Sequence, residues 1–322
     1  MTGIVQINNI GWWLKQHFGE KVVKLALDGG FTCPNRDGTC GTGGCIFCSA
    51  EGSGELASQI SENTGKDPRS SRVTPKSISA ALSEQIGLRK EKWPNVRSFI
   101  AYFQNHTNTY APVWELREKF EAALKVPEIV GLAIATRPDC LPDDVLDLLS
   151  ELNEKTFLWV ELGLQTIHGD HINRCYDLPV YDEAVRKLNE RGIRIVTHLI
   201  LGLPGETKED MMQSVRYVCE GHVFGLKLHL LNIVKGSPME AMYPGYTPFG
   251  SLEEYVQLVT DMLLIIPPEI TIHRLTADVP RRMLISPEWS YKKRTILNGI
   301  AHELKVRGAY QGQSVSDIRP SL

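Results

Sequence analysis

The chain has no run of about 18 apolar residues, so no transmembrane helix is expected. Its opening stretch, MTGIVQINNIGWWLKQHFGEK, lacks a basic start and an unbroken apolar core, which argues against a signal peptide. Neither sign of charge dominates: 35 Lys and Arg stand against 38 Asp and Glu, a net charge of −3. That balance excludes a generally basic protein, so any nucleic-acid contact must use a local patch. Cysteines are few and odd in number, seven, and the densest group has metal-ligand spacing. A reducing, cytoplasmic setting suits that pattern better than a disulfide framework. The whole chain, 322 residues with 42% hydrophobic content, suffices for one large α/β domain or a domain with an appendage.

What the chain does have is a glycine-rich loop reading CPNRDGTCGTGGCIFC, from Cys33 to Cys48. Cys45 and Cys48 form a C-x2-C pair, with Cys33 twelve positions upstream, and these can hold three corners of one cluster. Three thiolates on four irons leave one iron open to a chelating small molecule. Cys40 keeps two alternatives open. All four thiolates together, spaced C-x6-C-x4-C-x2-C, could bind zinc; Cys40, Cys45 and Cys48 alone have the C-x4-C-x2-C spacing of a closed electron-transfer cluster. Cys140, Cys175 and Cys219 lie near apolar residues and read as ordinary buried thiols.

Around the loop, β-rich runs alternate with amphipathic helices. Strands are predicted over 22–27, 97–103, 130–136, 157–163, 193–201 and 225–231; helices over 78–88, 113–124, 142–152, 181–191, 208–219 and 252–265. Another strand over 270–274 would make seven. Strands joined through helices imply a parallel sheet with right-handed crossovers, here an incomplete (βα)6 barrel with its chemistry at the C-terminal strand ends. Polar residues follow the strands in turn: the cysteines, Gln104–Thr109, Arg137–Asp139, Gln165–His168, Gly202–Glu206 and Lys235–Ser237. The expected division is an N-terminal extension (1–20), the partial barrel (21–275) and a C-terminal extension (276–322). Ser49–Val73, rich in Ser, Gly and charge, reads as a connector or a lid. In the tail, Arg281, Arg282, Lys292, Lys293 and Arg294 surround Trp289 and Tyr291. That mixture suits phosphate and base contacts, or equally a solvated helix face.

The ordered set LDGGFTCPNRDGT, GGCIFC, AYFQNHTNTYAP, IATRPDCLPDD, LWVELGLQT, GLPGE, KLHLLNIVKGSPM and HRLTADVP resembles the YtqA/YhcC family of radical S-adenosylmethionine proteins, relatives of the elongator catalytic subunit. The likeness runs from about Lys21 to Gly312. It implies that Cys33, Cys45 and Cys48 bind a 4Fe-4S cluster, with Cys40 at a loop position that is not a family ligand. It also implies S-adenosylmethionine as cofactor, cleaved reductively to a 5′-deoxyadenosyl radical, with an electron donor such as flavodoxin or ferredoxin. Under this resemblance Phe47 would pack beside the cluster or the adenine, and Gln104 would hydrogen-bond the methionyl amino group. The Gln104 role rests on position, because FQN stands where many relatives have a Gly-Gly-Glu segment. Glu161 would meet a ribose hydroxyl or the cationic methionyl group, Arg174 a carboxylate, and the turn from Gly202 to Gly205 the adenine. His198 and His229 are expected inside the barrel. The implied substrate is a tRNA anticodon loop, and the implied reaction takes carboxymethylaminomethyluridine at the wobble position to aminomethyluridine. The alternative is a non-catalytic iron–sulfur or zinc protein serving electron transfer or partner binding.

Overall fold

A computed structural model describes residues 6–49, 74–169 and 176–315. Among them the strands are β1 (Val22–Leu27), β2 (Ser98–Phe103), β3 (Ile129–Thr136), β4 (Phe157–Gln165), β5 (Arg194–Leu201), β6 (Gly225–Leu230), β7 (Ile233–Val234), β8 (Thr271–Arg274) and β9 (Leu284–Ser286). Seven of them form one sheet in the order β1-β2-β3-β4-β5-β6-β8, and β7 pairs with β9 separately. The pairs β1–β2, β2–β3, β3–β4, β5–β6 and β6–β8 are parallel. A parallel sheet whose order never reverses has the winding of an open βα barrel, not of a doubly wound sheet. The expected α/β partial-barrel class is therefore found, and the strand over 270–274 is its seventh.

The helices are α1 (Ile10–Phe18), α2 (Pro75–Lys92), α3 (Val113–Leu124), α4 (Asp143–Lys155), α5 (Leu178–Glu190), α6 (Lys208–Glu220), α7 (Pro238–Met242), α8 (Leu252–Ile265) and α9 (Lys293–Arg307). Helices α3 and α8 have the bounds expected from sequence. Thr74 caps α2 as expected, in a reciprocal pair of hydrogen bonds with Ser77. Helix α5 begins three residues before its predicted start, because the Asp177 carboxylate accepts from the Val180 N–H and Pro179 fits the first turn. Helices α1 and α9 go beyond the sequence expectations. Most of Ser49–Val73, for which a connector or lid was expected, lies outside the described residues.

The chain divides into two compact units: Gly11–Gly163 with Asn173–Ile195, and Met1–Ile10 with Leu164–Ile172 and Val196–Leu322. In the first, β2 is buried along its whole length, as a strand covered on both faces must be. Phe103 meets Phe120 of α3 edge-on at 5.0 Å between ring centres. The other strand face carries an aromatic column. From α1, Trp13, His17 and Phe18 pack on Phe157 at 5.7, 5.0 and 5.4 Å. Phe157 meets Trp159 at 5.6 Å, and the Trp159 indole N–H donates to the Glu161 carboxylate at 2.9 Å. Alternation along β4 puts these three residues on one face. The column explains why α1 forms: its partners lie far along the chain, on β4.

In the second unit α8 packs on α9. Tyr255, wholly buried, lies 5.2 Å from Phe249 and 6.0 Å from Trp289, and its hydroxyl donates to the Leu275 carbonyl at 2.9 Å. Buried Gln311 closes the unit, donating to the Pro267 and Ile270 carbonyls and accepting from the Asn8 N–H. Gly308, with φ 61°, ends α9.

Candidate cluster and cofactor site

Beyond β1 the chain turns at Asp28, whose carboxylate accepts from the Gly30 N–H at 2.8 Å. The cysteine loop then folds on its own backbone. The Cys33 carbonyl accepts from the Arg36 and Asp37 N–H groups at 2.8 and 3.2 Å, Cys40 N–H donates to Pro34, and Gly44 N–H to Asn35. Gly44 is left-handed at φ 76°, and a side chain there would press on the Arg36 guanidinium at 3.2 Å. The left-handed conformation is what favours glycine here, and the Arg36 side chain would have to give slightly to admit a Cβ. Between the paired cysteines, Ile46 enters the core and Phe47 stays half-buried.

Cys33, Cys45 and Cys48 are free, half-buried thiols. N–H donors point at two of these sulfurs. Asn35, 1% exposed, donates to Cys45 Sγ at 2.9 Å. The Arg137 guanidinium donates to Cys33 Sγ at 3.7 Å. Its other nitrogens grip Asp139 bidentately at 2.8 and 2.7 Å, which fixes the fork. The Tyr176 ring lies under the same guanidinium at 5.2 Å, and the tyrosyl hydroxyl donates to the Gly163 carbonyl. The Cys45 thiol is acidified to about 6, chiefly by a hydrogen bond with Cys48 and further by Asn35, Arg137 and Arg36. Cys48, the proton-bearing half of that pair, is shifted upward, first by that hydrogen bond and then by desolvation. Cys40 is disulfide-bonded and does not count among these free thiols.

The segment after β2 locks onto its neighbours. Gln104 N–H bonds the Leu27 carbonyl at 3.1 Å and Thr107 N–H the Thr32 carbonyl at 3.2 Å. Asn105 donates its amide to Asp28 at 3.0 Å, and Asn108 to the Ala135 carbonyl at 2.8 Å. Both acceptors lack hydrogens, so the amide orientation is fixed, and Asn105 Oδ1 and Asn108 Oδ1 are left as buried acceptors without a donor. His106 has φ 59° and an imidazole pushed below its usual range by burial, then by Arg36. Glu161 is wholly buried. Arg174 lies outside the described residues.

In the second unit the Gly202–Gly205 turn is well defined. Gly202 has φ 90°, and a Cβ there would meet Pro248 and Phe249 at 2.7 Å; Gly205 has φ 87° and open space around it. The close approach at Gly202 is therefore made by the protein's own side chains. His198 and His229 lie together, with ring centres 5.1 Å apart. Sequence reasoning missed Asn35, Asn105 and Asn108. The only signal was their place in CPNRD and FQNHTN, directly beside the expected ligands.

The model of the Radical SAM superfamily matches residues 37–218, more than half of the chain. The chain belongs to the radical SAM superfamily. A Radical_SAM C-terminal domain model matches residues 223–306 of this radical SAM protein. YtqA of Bacillus subtilis (strain 168) is 48% identical over 310 residues, 95% of this chain and 92% of that protein. YhcC of Escherichia coli (strain K12) is 39% identical over 321 residues, 98% and 97% of the two chains. Among solved structures, the archaeal Methanocaldococcus infernus Elp3 with an N-terminal deletion superposes with a TM-score of 0.65 at 16% identity, covering 90% of this chain and 64% of that one. That likeness concerns the fold. A partial likeness links the chain to the tRNA uridine(34) acetyltransferase of Dehalococcoides mccartyi, 30% identical over 159 residues, 47% of this chain and 34% of that protein.

Membership implies a 4Fe-4S cluster and S-adenosylmethionine. The donor set fits such a group: three reduced thiols, one already acidic, with N–H groups from Asn35 and Arg137 turned toward sulfur. Metal binding requires thiolates, and these are the interactions that favour them. Among the described residues no helix is long and apolar enough to cross a membrane.

Proposed function

We propose that this radical SAM protein is a tRNA-modifying enzyme acting on the wobble uridine, with conversion of carboxymethylaminomethyluridine to aminomethyluridine as its reaction. The observation that carries the enzymatic part is the loop of three free thiols with donors aimed at sulfur. The tRNA part is supported by the partial likeness to a tRNA uridine(34) acetyltransferase.

Cys33, Cys45 and Cys48 would hold the cluster, and Asn35 and Arg137 would stabilise its sulfurs by charge-assisted hydrogen bonds. When bound, cluster and S-adenosylmethionine together supply a 5′-deoxyadenosyl radical that removes hydrogen from an unactivated carbon. Gln104, with Asn105 beside it, supplies acceptors for an ammonium group; the Asn105 Oδ1 acceptor is buried, oriented and lacks a donor. Glu161, held by Trp159, contributes a fixed carboxylate, and Phe47 a half-buried aromatic face beside the cluster. Gly205 leaves open space for an adenine edge. Arg174 keeps its proposed role toward a carboxylate, and a small one-electron donor such as flavodoxin or ferredoxin is the proposed reductant.

Two measurements test the proposal. Anaerobically reconstituted protein with dithionite and S-adenosylmethionine is expected to release 5′-deoxyadenosine; a cluster without that product would turn the reading to electron transfer. Nucleoside analysis of tRNA from cells lacking the protein is expected to show accumulated carboxymethylaminomethyluridine. An unchanged wobble profile would overturn the substrate.

A further inference from the structure

Within the C-terminal unit a pocket of about 480 Å³ is bordered by half-buried Leu284, Ile285 and Trp289 and by exposed Arg281, Tyr291 and Lys292, with Glu288 also on its wall. That volume lies in the range of small-ligand sites, roughly 300–1,000 Å³. Tyr291 is 42% exposed. The Arg281 guanidinium lies over its ring at 4.5 Å, and the Lys292 ammonium approaches it at 5.8 Å. Guanidinium and phenol planes together make a platform on which an unstacked base can lie.

The charges around this pocket are sorted by the fold. Lys293 is bound to Asp278 at 2.5 Å, and Asp278 also meets Arg274 at 3.5 Å. Lys293 is thereby committed to a carboxylate that it shares with Arg274. Arg281, Arg282, Lys292 and Arg294 are exposed, and none has an acidic partner among the described residues. Four unpaired cations gather here in a chain whose net charge is −3. Helix α9 starts here at Lys293 with no side-chain cap, and the Thr295 N–H of its first turn donates to the Lys292 carbonyl at 2.8 Å. An aromatic platform, an open pocket and uncompensated positive charge share one polyanionic ligand class, a single-stranded nucleic-acid segment.

We infer that this pocket is a nucleotide subsite. It takes one unstacked RNA base against Arg281 and Tyr291 and grips the flanking phosphates with Arg281, Lys292 and Arg294. The inference rests on the proposed tRNA substrate and deepens it, by giving the C-terminal unit a share in RNA recognition. It also separates Lys292 from Lys293, which the bare sequence KKR treats alike.

The test is equilibrium binding of a fluorescein-labelled anticodon stem-loop RNA to the full-length protein, titrated at KCl from about 50 to 200 mM. Arg281→Ala combined with Lys292→Ala is expected to weaken binding at least about tenfold, and to lower the slope of log Kd against log salt by about 1.4, near 0.7 per lost contact. Tyr291→Ala is expected to weaken binding by about 5- to 100-fold with the slope kept, and Tyr291→Phe to bind like the wild type, because stacking uses the ring. Lys293→Ala is expected to leave both affinity and slope unchanged. All these side chains are exposed or already paired at the surface, and thermal melting checks that each variant folds. If the wild type binds the RNA and the pocket variants bind equally well, the subsite is wrong and the tRNA reading survives. If Lys293→Ala lowers the slope as much as Lys292→Ala, the attraction is diffuse and the subsite is again wrong. If the wild type does not bind the RNA at all, the tRNA reading falls and the subsite with it.

Discussion

Beside the cysteine loop, cations are buried and committed. Arg137 is 8% exposed, holds Asp139 with two nitrogens and turns a third toward Cys33. Lys119, 3% exposed, donates to the Gly29 carbonyl and to Glu115 and lies over the Phe31 ring at 4.2 Å. Around the pocket of the C-terminal unit, Arg281, Arg282, Lys292 and Arg294 are exposed and form no ion pair among the described residues, although Glu288 shares the pocket wall. The difference separates two uses of positive charge. A buried cation with a fixed fork stabilises an anion that the protein itself will hold, here thiolate sulfur. An exposed, unpaired cation does little for the folded chain and is available to an anion arriving from outside.

The most drastic way to break this contrast is to remove the internal anion. Replacing Cys33, Cys45 or Cys48 singly by Ala is expected to drop bound iron from about four per chain to below one after anaerobic reconstitution, and to abolish 5′-deoxyadenosine formation. Cys40→Ala is expected to keep about four irons. Equal iron loss in all four variants would make Cys40 a ligand and close the site to a cofactor.

Removing the committed cation comes next. Arg137→Met leaves Asp139, whose side chain is 17% exposed, without its partner. Breaking a largely buried pair from one side costs about 3–5 kcal/mol, and this pair's partial exposure places it near the low end. Arg137→Met is also expected to make the cluster potential more negative, through loss of the N–H facing Cys33. The double variant Arg137→Met with Asp139→Asn should recover much of the stability but none of the potential. Denaturant melts and redox titration separate the two roles; recovery of both by the double variant would show that Arg137 acts through Asp139 alone.

Arg137 also marks the limit of what the sequence discloses. The cysteine loop was legible because ligand spacing is local, and α3 and α8 because apolar periodicity and proline or serine starts are local too. The contact of Arg137 with Cys33 joins residues 104 positions apart, and no local pattern encodes it. Helix α1 escaped notice for a similar reason, since its aromatic face is completed by Phe157 on β4. Within KKR, Lys292 and Lys293 look alike until Asp278, 15 positions before Lys293, claims one of them.

One turn of the second unit holds the same contrast between committed and open positions. Gly202→Ala would drive a methyl group to 2.7 Å from Pro248 and Phe249 at φ 90°. Overpacking and left-handed strain together are expected to cost about 2–4 kcal/mol. Gly205→Ala, with φ 87° and no atom within 4 Å, carries only the conformational penalty, about 1–2 kcal/mol. Thermal denaturation of the two variants ranks them, and equal losses would mean that the Pro248–Phe249 contact yields freely.

The smallest expected effect concerns Glu206, at the end of that turn, and it asks what an anion does without a committed cation. Burial raises the Glu206 carboxyl above the usual carboxylate range; the hydrogen bond from the Thr166 hydroxyl and the pull of His168 act the other way without cancelling it. In the unfolded chain the group titrates near its ordinary value. Below that value it is protonated in both states and contributes nothing. As pH rises from the ordinary value through the raised folded one, the unfolded chain ionises first, and the folded state accumulates a penalty that stays constant above the window. Glu206→Gln keeps an acceptor for Thr166 and removes the charge. The variant is therefore expected to melt above the wild type at neutral pH, with the difference shrinking toward zero in acid. Because Glu206 is only half-buried, this gain should fall well below the loss from Arg137→Met. A variant less stable than the wild type at neutral pH would show that Glu206 has a cationic partner after all, and would erase the difference between the two units for anions.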